Sequence, residues 1–155
     1  WGLLLDLHGH RHDEPNVELG MLLSSEDLRR SDAELSRDPT FLNKTSIRGM
    51  VTQTGKPLAD LVRGPLSLGS LLEARGQRSL PSTIRPQPTA GAPYYSGAYI
   101  VATHGSKNSG TVSAIQIECP WEGVRDTEAN RRQFAERLAD ALSEYLAAHL
   151  NWRKE

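Results

Sequence analysis

The feature that most constrains this chain is the short apolar run with which it opens. Residues 1–7 (WGLLLDL) are almost entirely hydrophobic, and the run stops at the polar residues 8–13 (HGHRHD). A run of this length is typical of a strand buried on both faces, as in a parallel sheet. Polar residues that follow such a strand lie at the edge of the sheet where α/β proteins bind ligands. The opening therefore predicts an α/β fold with a polar loop and a site at residues 8–13.

A long amphipathic segment closes the chain and would cover such a sheet. Between Asp126 and Leu150, apolar residues recur at helical spacing and acidic residues come first. The recurring residues are Phe134, Leu138, Ala141, Leu142, Tyr145 and Leu146. This pattern predicts a helix that packs on the sheet. We therefore expect one α/β domain over residues 1–155, with a mixed sheet flanked by helices.

Shorter helices are predicted in the first half of the chain. Ser24 or Ser25, followed by acidic residues, is a suitable N-cap for a helix that reaches about Leu35. Residues 58–62 and 66–72 have the composition of helical turns.

Two strands are predicted in the second half. Four prolines make residues 80–93 a loop, long enough to have a functional role. Residues 94–101 and 111–119 are rich in aromatic and β-branched side chains, and residues 104–110 contain the glycines and polar residues of a turn. This arrangement predicts two strands joined by that turn.

Composition excludes several classes of partner. The 155 residues carry a net charge of −1, without the clustered basic excess of a nucleic-acid-binding surface. Residues 91–105 lack charge but contain Pro, Ser and Gly, so they do not suit a membrane span. We expect neither a nucleic acid nor a membrane as partner. The single cysteine, Cys119, cannot form an internal disulfide and is expected to be buried and inert.

Three histidines at alternate positions form the first candidate site. His8, His10 and His12 are flanked by Asp6 and Asp13, and alternate positions of a strand share one face. Neutral imidazoles are good zinc ligands, and a nearby carboxylate can orient them through the other ring nitrogen. Either all three bind a metal, or His8 alone is a ligand and the other two face substrate or solvent. A polar loop that happens to be rich in histidine is the third possibility.

A second candidate is the acid that ends the last predicted strand. Glu118 follows the apolar residues 114–117 (AIQI), and a carboxylate at a strand end beside a cleft can act as a general base. A surface ion pair is the alternative role. Residues 94–99 (YYSGAY) supply tyrosines that would line a pocket or pack in the core.

These segments, in this order, resemble the N-formylglutamate amidohydrolase family, whose members share a zinc-carboxypeptidase-like fold. The resemblance rests on residues 4–9 (LLDLHG), 67–72 (SLGSLL), 95–100 (YSGAYI), 104–105 (HG) and 114–118 (AIQIE), followed by the terminal helix. It covers most of the chain, and is weaker between residues 24 and 62. It implies an α/β hydrolase domain that cleaves an amide bond in a small-molecule or peptide-like substrate.

The resemblance also implies a role for individual residues. It makes His8 a zinc ligand, Asp6 the carboxylate that supports this ligand, and Glu118 the general base that activates water. The side chains expected near the substrate are His10, His12, Tyr95, Tyr99 and His104.

The chain departs from the family in two places. The family's other metal ligands, a His and a Glu, lie upstream of the Asp-x-His strand, and Trp1 already belongs to that strand. We therefore expect this chain to be the C-terminal portion of the domain. Ala102 and Thr103 occupy positions where family members often have an arginine for a substrate carboxylate. Two alternatives stay open: a noncatalytic binding module with this fold, and a metallohydrolase of another fold with a His-x-His-x-His site.

Overall fold

Four strands form one mixed sheet. A computed structural model of the chain describes residues 1–107 and 109–152. The strands are β1 (Gly2–His10), β2 (Val17–Gly20), β3 (Ser79–Leu80) and β4 (Val112–Pro120). Their order in the sheet is β1-β4-β2-β3; β4 runs parallel to β1 and antiparallel to β2, and β3 is parallel to β2. The predicted α/β architecture, a mixed sheet flanked by helices, is confirmed.

Eight helices surround this sheet within the described residues. They are α1 (Ser25–Leu28), α2 (Asp32–Arg37), α3 (Pro39–Lys44), α4 (Arg48–Thr54), α5 (Leu58–Arg63), α6 (Leu68–Ala74), α7 (Tyr99–His104) and α8 (Glu128–Leu150). An irregular turn, Trp121–Arg125, connects β4 to α8. No helix in the described part of the chain is long and apolar enough to cross a lipid bilayer.

The terminal helix α8 forms as its pattern predicts. The Thr127 side chain accepts a hydrogen bond from the Asn130 amide and caps the first turn, and Asn151 ends the helix in a left-handed conformation. Tyr145 and Ala141 on its inner face are fully buried. The helix contacts α6 and, together with it, contributes to the hydrophobic core.

One face of the sheet is apolar and contributes to the core. Leu19 of β2 and Ile115 and Ile117 of β4 are at most 1% exposed. Because side chains alternate along a strand, Gln116 and Glu118 must lie on the opposite face. The sheet therefore separates the core from a second, polar layer.

The single helix predicted from Ser24 or Ser25 to Leu35 is wrong in one respect: the segment forms two short helices, α1 and α2. Ser24 caps α1, and the side chain of Ser31 then accepts a hydrogen bond from the Glu34 amide and caps α2. A serine that bonds to the backbone in this way starts a new helix in preference to continuing the previous one. The helices predicted at 58–62 and 66–72 are present as α5 and α6.

The predicted strand over residues 94–101 is wrong. Residues 94–98 are irregular, and α7 begins at Tyr99. Side chains of the sheet provide the acceptors that a strand ladder would supply: Glu18 accepts from the Tyr95 amide and Gln116 from the Ala98 amide. Residues 94–98, which we name the cover segment, therefore lie across the polar layer. The hairpin predicted between this run and β4 is absent, although β4 itself is confirmed.

The first strand also differs from expectation. It continues through His8 and Gly9 to His10, where a polar loop was predicted, and pairs only with β4 among the described strands. Leu7 is 63% exposed, so the strand is not buried on both faces. The reason is its position at the edge of the sheet.

Candidate functional site

The polar layer is centred on Glu118. In the sheet register, His8 of β1 and Glu18 of β2 are both directly opposite Glu118 of β4. Residues opposite each other on neighbouring strands project from the same face, with neighbouring strands roughly 5 Å apart. One imidazole and two carboxylates therefore stand side by side.

His8 lies between two carboxylates. Its Nε2 is 3.1 Å from Oδ2 of Asp6, and its Nδ1 is 3.7 Å from Oε1 of Glu118. The side chain of His8 is 45% exposed, whereas that of Glu118 is 5% exposed. The imidazole thus forms the boundary between a buried acid and solvent.

Asp6 has an unsatisfied buried oxygen. Its Oδ2 is shielded from solvent and makes no hydrogen bond of acceptable geometry with the described residues. The 3.1 Å separation from His8 Nε2 is within ion-pair distance, but the two groups are not aligned for a hydrogen bond. A small rotation of the half-exposed ring would align the Nε2 hydrogen with this oxygen and leave Nδ1 as an open electron-pair donor.

Glu118 is held from its own strand. Gln116 donates from Nε2 to Oε1 of Glu118 at 2.6 Å, and its own Oε1 accepts from the Ala98 amide at 2.8 Å. Both side chains are buried. Gln116 therefore connects the acid to the cover segment and fixes its position. Sequence reasoning missed this residue, although its alternate position in the strand places it on the same face as Glu118.

A second group of potential metal ligands lies beside the first. Ligand atoms of His10, His12 and Glu18 all lie within 4.8 Å of one another, so this group could hold a metal ion. Nδ1 of His12 is 2.7 Å from Oε1 of Glu18, and Nε2 of His10 is 3.8 Å from the same oxygen. His12 follows the end of β1, while His10 is its last residue.

The ring nitrogens of His10 are already engaged. Nδ1 accepts a hydrogen bond from the His12 amide at 3.0 Å, which assigns the ring hydrogen to Nε2, and Nε2 lies 2.8 Å from the carbonyl oxygen of Asn16. A metal at His10 would have to replace one of these bonds. His12 differs, because its Nδ1 is directed at Glu18 and the described contacts leave its Nε2 open.

Glu18 is the main residue that sequence reasoning did not find. It is 2% exposed, and its Oε2 accepts from the Tyr95 amide at 2.8 Å. The neighbouring Tyr94 hydroxyl donates to the carbonyl of Leu19, and burial, assisted by the charge of Glu18, raises the pKa of Tyr94. An acid inside the short apolar run Val17–Gly20 was the available signal.

The predicted substrate-facing residues are only partly brought together. Tyr95 stacks on His12 with ring centroids 4.9 Å apart, so these two side chains adjoin the cluster. Tyr99 is 75% exposed, and His104, at the end of α7, is also exposed. Neither makes a hydrogen bond or ring contact with the cluster in the described part of the chain, and their role stays a prediction.

Arg125 connects the ends of β1 and β4. Its guanidinium donates to the carbonyl oxygens of Cys119 and His10, each at 3.0 Å. A larger residue at Gly9 would require the Arg125 side chain to move, because an added Cβ atom would overlap its guanidinium carbon. Cys119 is buried, and burial raises the pKa of its thiol to about 11, against the lowering effect of Arg125. The cysteine is therefore a protonated packing residue.

Comparisons with known proteins identified no relative of this chain. No family model matches the chain, and neither the curated proteins nor the solved structures contain a significant match. The interpretation of the site therefore depends on its own geometry and on the motifs in the sequence.

Proposed function

We propose that the chain is a metal-dependent hydrolase that cleaves an amide bond at the polar layer of the sheet. The observation that carries the proposal is the row formed by Asp6, His8 and Glu118. A buried carboxylate, fixed by Gln116, lies 3.7 Å from the imidazole, and a second carboxylate lies on the other side of the ring. Metal-binding histidines commonly have such a carboxylate behind them.

His8 fits the role of one metal ligand, and Asp6 fits the role of the carboxylate that supports it. The unsatisfied Oδ2 of Asp6 is the acceptor that would orient His8 once the ring turns its Nδ1 lone pair toward a cation. His8 is favoured over His10 as a ligand because both ring nitrogens of His10 are engaged. Zinc is the ion that imidazole and carboxylate ligands suit best here, and when bound it supplies a Lewis acid that polarises the substrate carbonyl and acidifies water.

Glu118 then performs the proton transfers. Its carboxylate takes a proton from the attacking water while the water oxygen bonds to the carbonyl carbon. The same carboxyl group then gives this proton to the amide nitrogen, and the C–N bond breaks. The products are a carboxylic acid and an amine, with one water consumed. Water can approach along the exposed side of His8.

The test combines metal content with turnover. The protein is purified without chelators, loaded with zinc, and assayed on a set of N-formyl and N-acetyl amino acids and short peptides. We expect hydrolysis that disappears when the metal is removed and returns when it is restored. Stoichiometric zinc without hydrolysis of any amide would contradict the proposed function.

A noncatalytic metal-binding module is the second candidate. The His10–His12–Glu18 group favours it, because this group could hold an ion on its own without using Glu118. In that case zinc would be lost in His12→Ala and retained in His8→Ala, and no amide would be hydrolysed.

A further inference from the structure

A cavity adjoins the cluster on the side of His12 and Glu18. Its volume is about 320 Å³, and residues 88–93 of the proline-rich loop are part of its lining. His12 and Glu18 are among its lining residues, so the cavity adjoins the polar layer. This is the space in which we expect the non-reacting part of a substrate to lie.

The lining of the cavity has two kinds of surface. Leu80, Pro88 and Pro93 contribute apolar surface to the lining, whereas Asp13 and Glu14 contribute carboxylates. Asp13 is exposed, and Glu14 is half-buried and accepts a hydrogen bond from Asn16 Nδ2 at 3.2 Å. No Lys or Arg is among the described lining residues. Arg78 contacts the lining residue Asn16, at 3.2 Å, from outside the cavity.

We propose, on the basis of the hydrolase function above, that the substrate is an amide whose amine part carries a short alkyl chain ending in an ammonium group. The alkyl chain would lie along the apolar walls, as the aliphatic part of a long cationic side chain does on protein surfaces. The ammonium group would lie between Asp13 and Glu14, which attract a cation and repel an anion across a few ångströms.

The charge of a bound metal does not reverse this preference. Asp6, Glu18 and Glu118 adjoin the two possible ligand groups and offset a divalent cation. The carboxylates of Asp13 and Glu14 thus still determine the sign of the field in the cavity. An acidic substrate such as an N-formylglutamate is therefore disfavoured.

Matched substrates test this inference. The α-carboxamides of N-formyl-lysine, N-formyl-norleucine and N-formyl-glutamate differ in side-chain charge while the reacting amide stays the same. We expect kcat/KM to fall in that order, by about tenfold between lysine and norleucine, the effect of one or two exposed carboxylates near a cation. In the double variant Asp13→Asn/Glu14→Gln, the lysine-to-norleucine ratio should fall toward one. Glu136→Gln, an exposed change on α8, should keep the wild-type ratio.

A binding measurement separates the two proposals. Titration calorimetry with pentylamine and pentanoate reports on the cavity without any turnover. Hydrolysis without a preference for lysine, or with one for glutamate, overturns the substrate assignment and leaves the hydrolase function standing. If no amide is hydrolysed but pentylamine binds and the double variant loses it, the hydrolase function fails and the cation-selective cavity stands. Absence of both hydrolysis and pentylamine binding overturns both.

Discussion

Replacing Glu118 by glutamine tests the proposed chemistry most directly. The variant keeps the shape of the side chain but removes the proton acceptor. A general base contributes on the order of 10²–10⁴-fold to rate, so we expect kcat to fall at least ~100-fold. The fold should persist, because the glutamine oxygen can still accept from Gln116 Nε2, which is 2.6 Å from the acid in the wild type. Exchanging a charged for a neutral acceptor there changes the free energy of unfolding by about 1 kcal/mol.

The assay has three readouts: turnover of the amide found in the substrate screen, bound zinc, and the midpoint of thermal unfolding. Glu122→Gln, a change of the same type at an exposed position in the turn after β4, is the matched control and should behave as wild type. Loss of zinc together with activity would make Glu118 a ligand. Near-normal turnover by a folded, zinc-loaded Glu118→Gln protein would refute the general-base role.

Three further predictions follow from the polar layer and from α8. His8→Ala should remove bound zinc while His12→Ala removes far less; equal losses, measured by elemental analysis, would contradict the single-ligand assignment. Gln116→Leu leaves a buried carboxylate oxygen and a backbone N–H without partners, so it should lower the free energy of unfolding by about 2–4 kcal/mol, and an unchanged urea midpoint would show that the connection contributes nothing. His149 is buried, and burial, with a lesser effect of Lys56, holds its pKa below the usual value. The unfolded chain therefore binds a proton more readily, and stability should fall as pH drops below about 6.5. His149→Gln should flatten this slope in melts between about pH 7.5 and about pH 5, and an equally steep slope in the variant would exclude His149 as its source.

Much of the fold follows from local patterns. The terminal helix and β4 carry long periodic signals, and the structure has both. Residues 94–101 have equally good strand composition, but the side chains of Glu18 and Gln116 take their backbone amides. Such a competition depends on residues about 20 to 80 positions away in the chain, so local composition cannot predict it.

The candidate site could also be predicted only in part from the sequence. Strand alternation alone places Asp6 and His8 on one face, and the distance between them agrees with that. The proximity of His8 to Glu118 depends on the register of β1 against β4, which no short segment encodes. Glu18 was missed because its strand has only four residues, too few for the alternation of apolar and polar residues to stand out.

Glu18 has two competing tasks. The same carboxylate faces His12 with one oxygen and holds the cover segment through the Tyr95 amide with the other. An ion that drew Glu18 toward itself would weaken the hold on that segment. By thermodynamic linkage, a tightly held segment must lower the affinity for the ion by the same factor. The rate of hydrogen exchange at the Tyr95 amide would therefore report whether an ion is bound by His12 and Glu18, and this measurement needs no substrate.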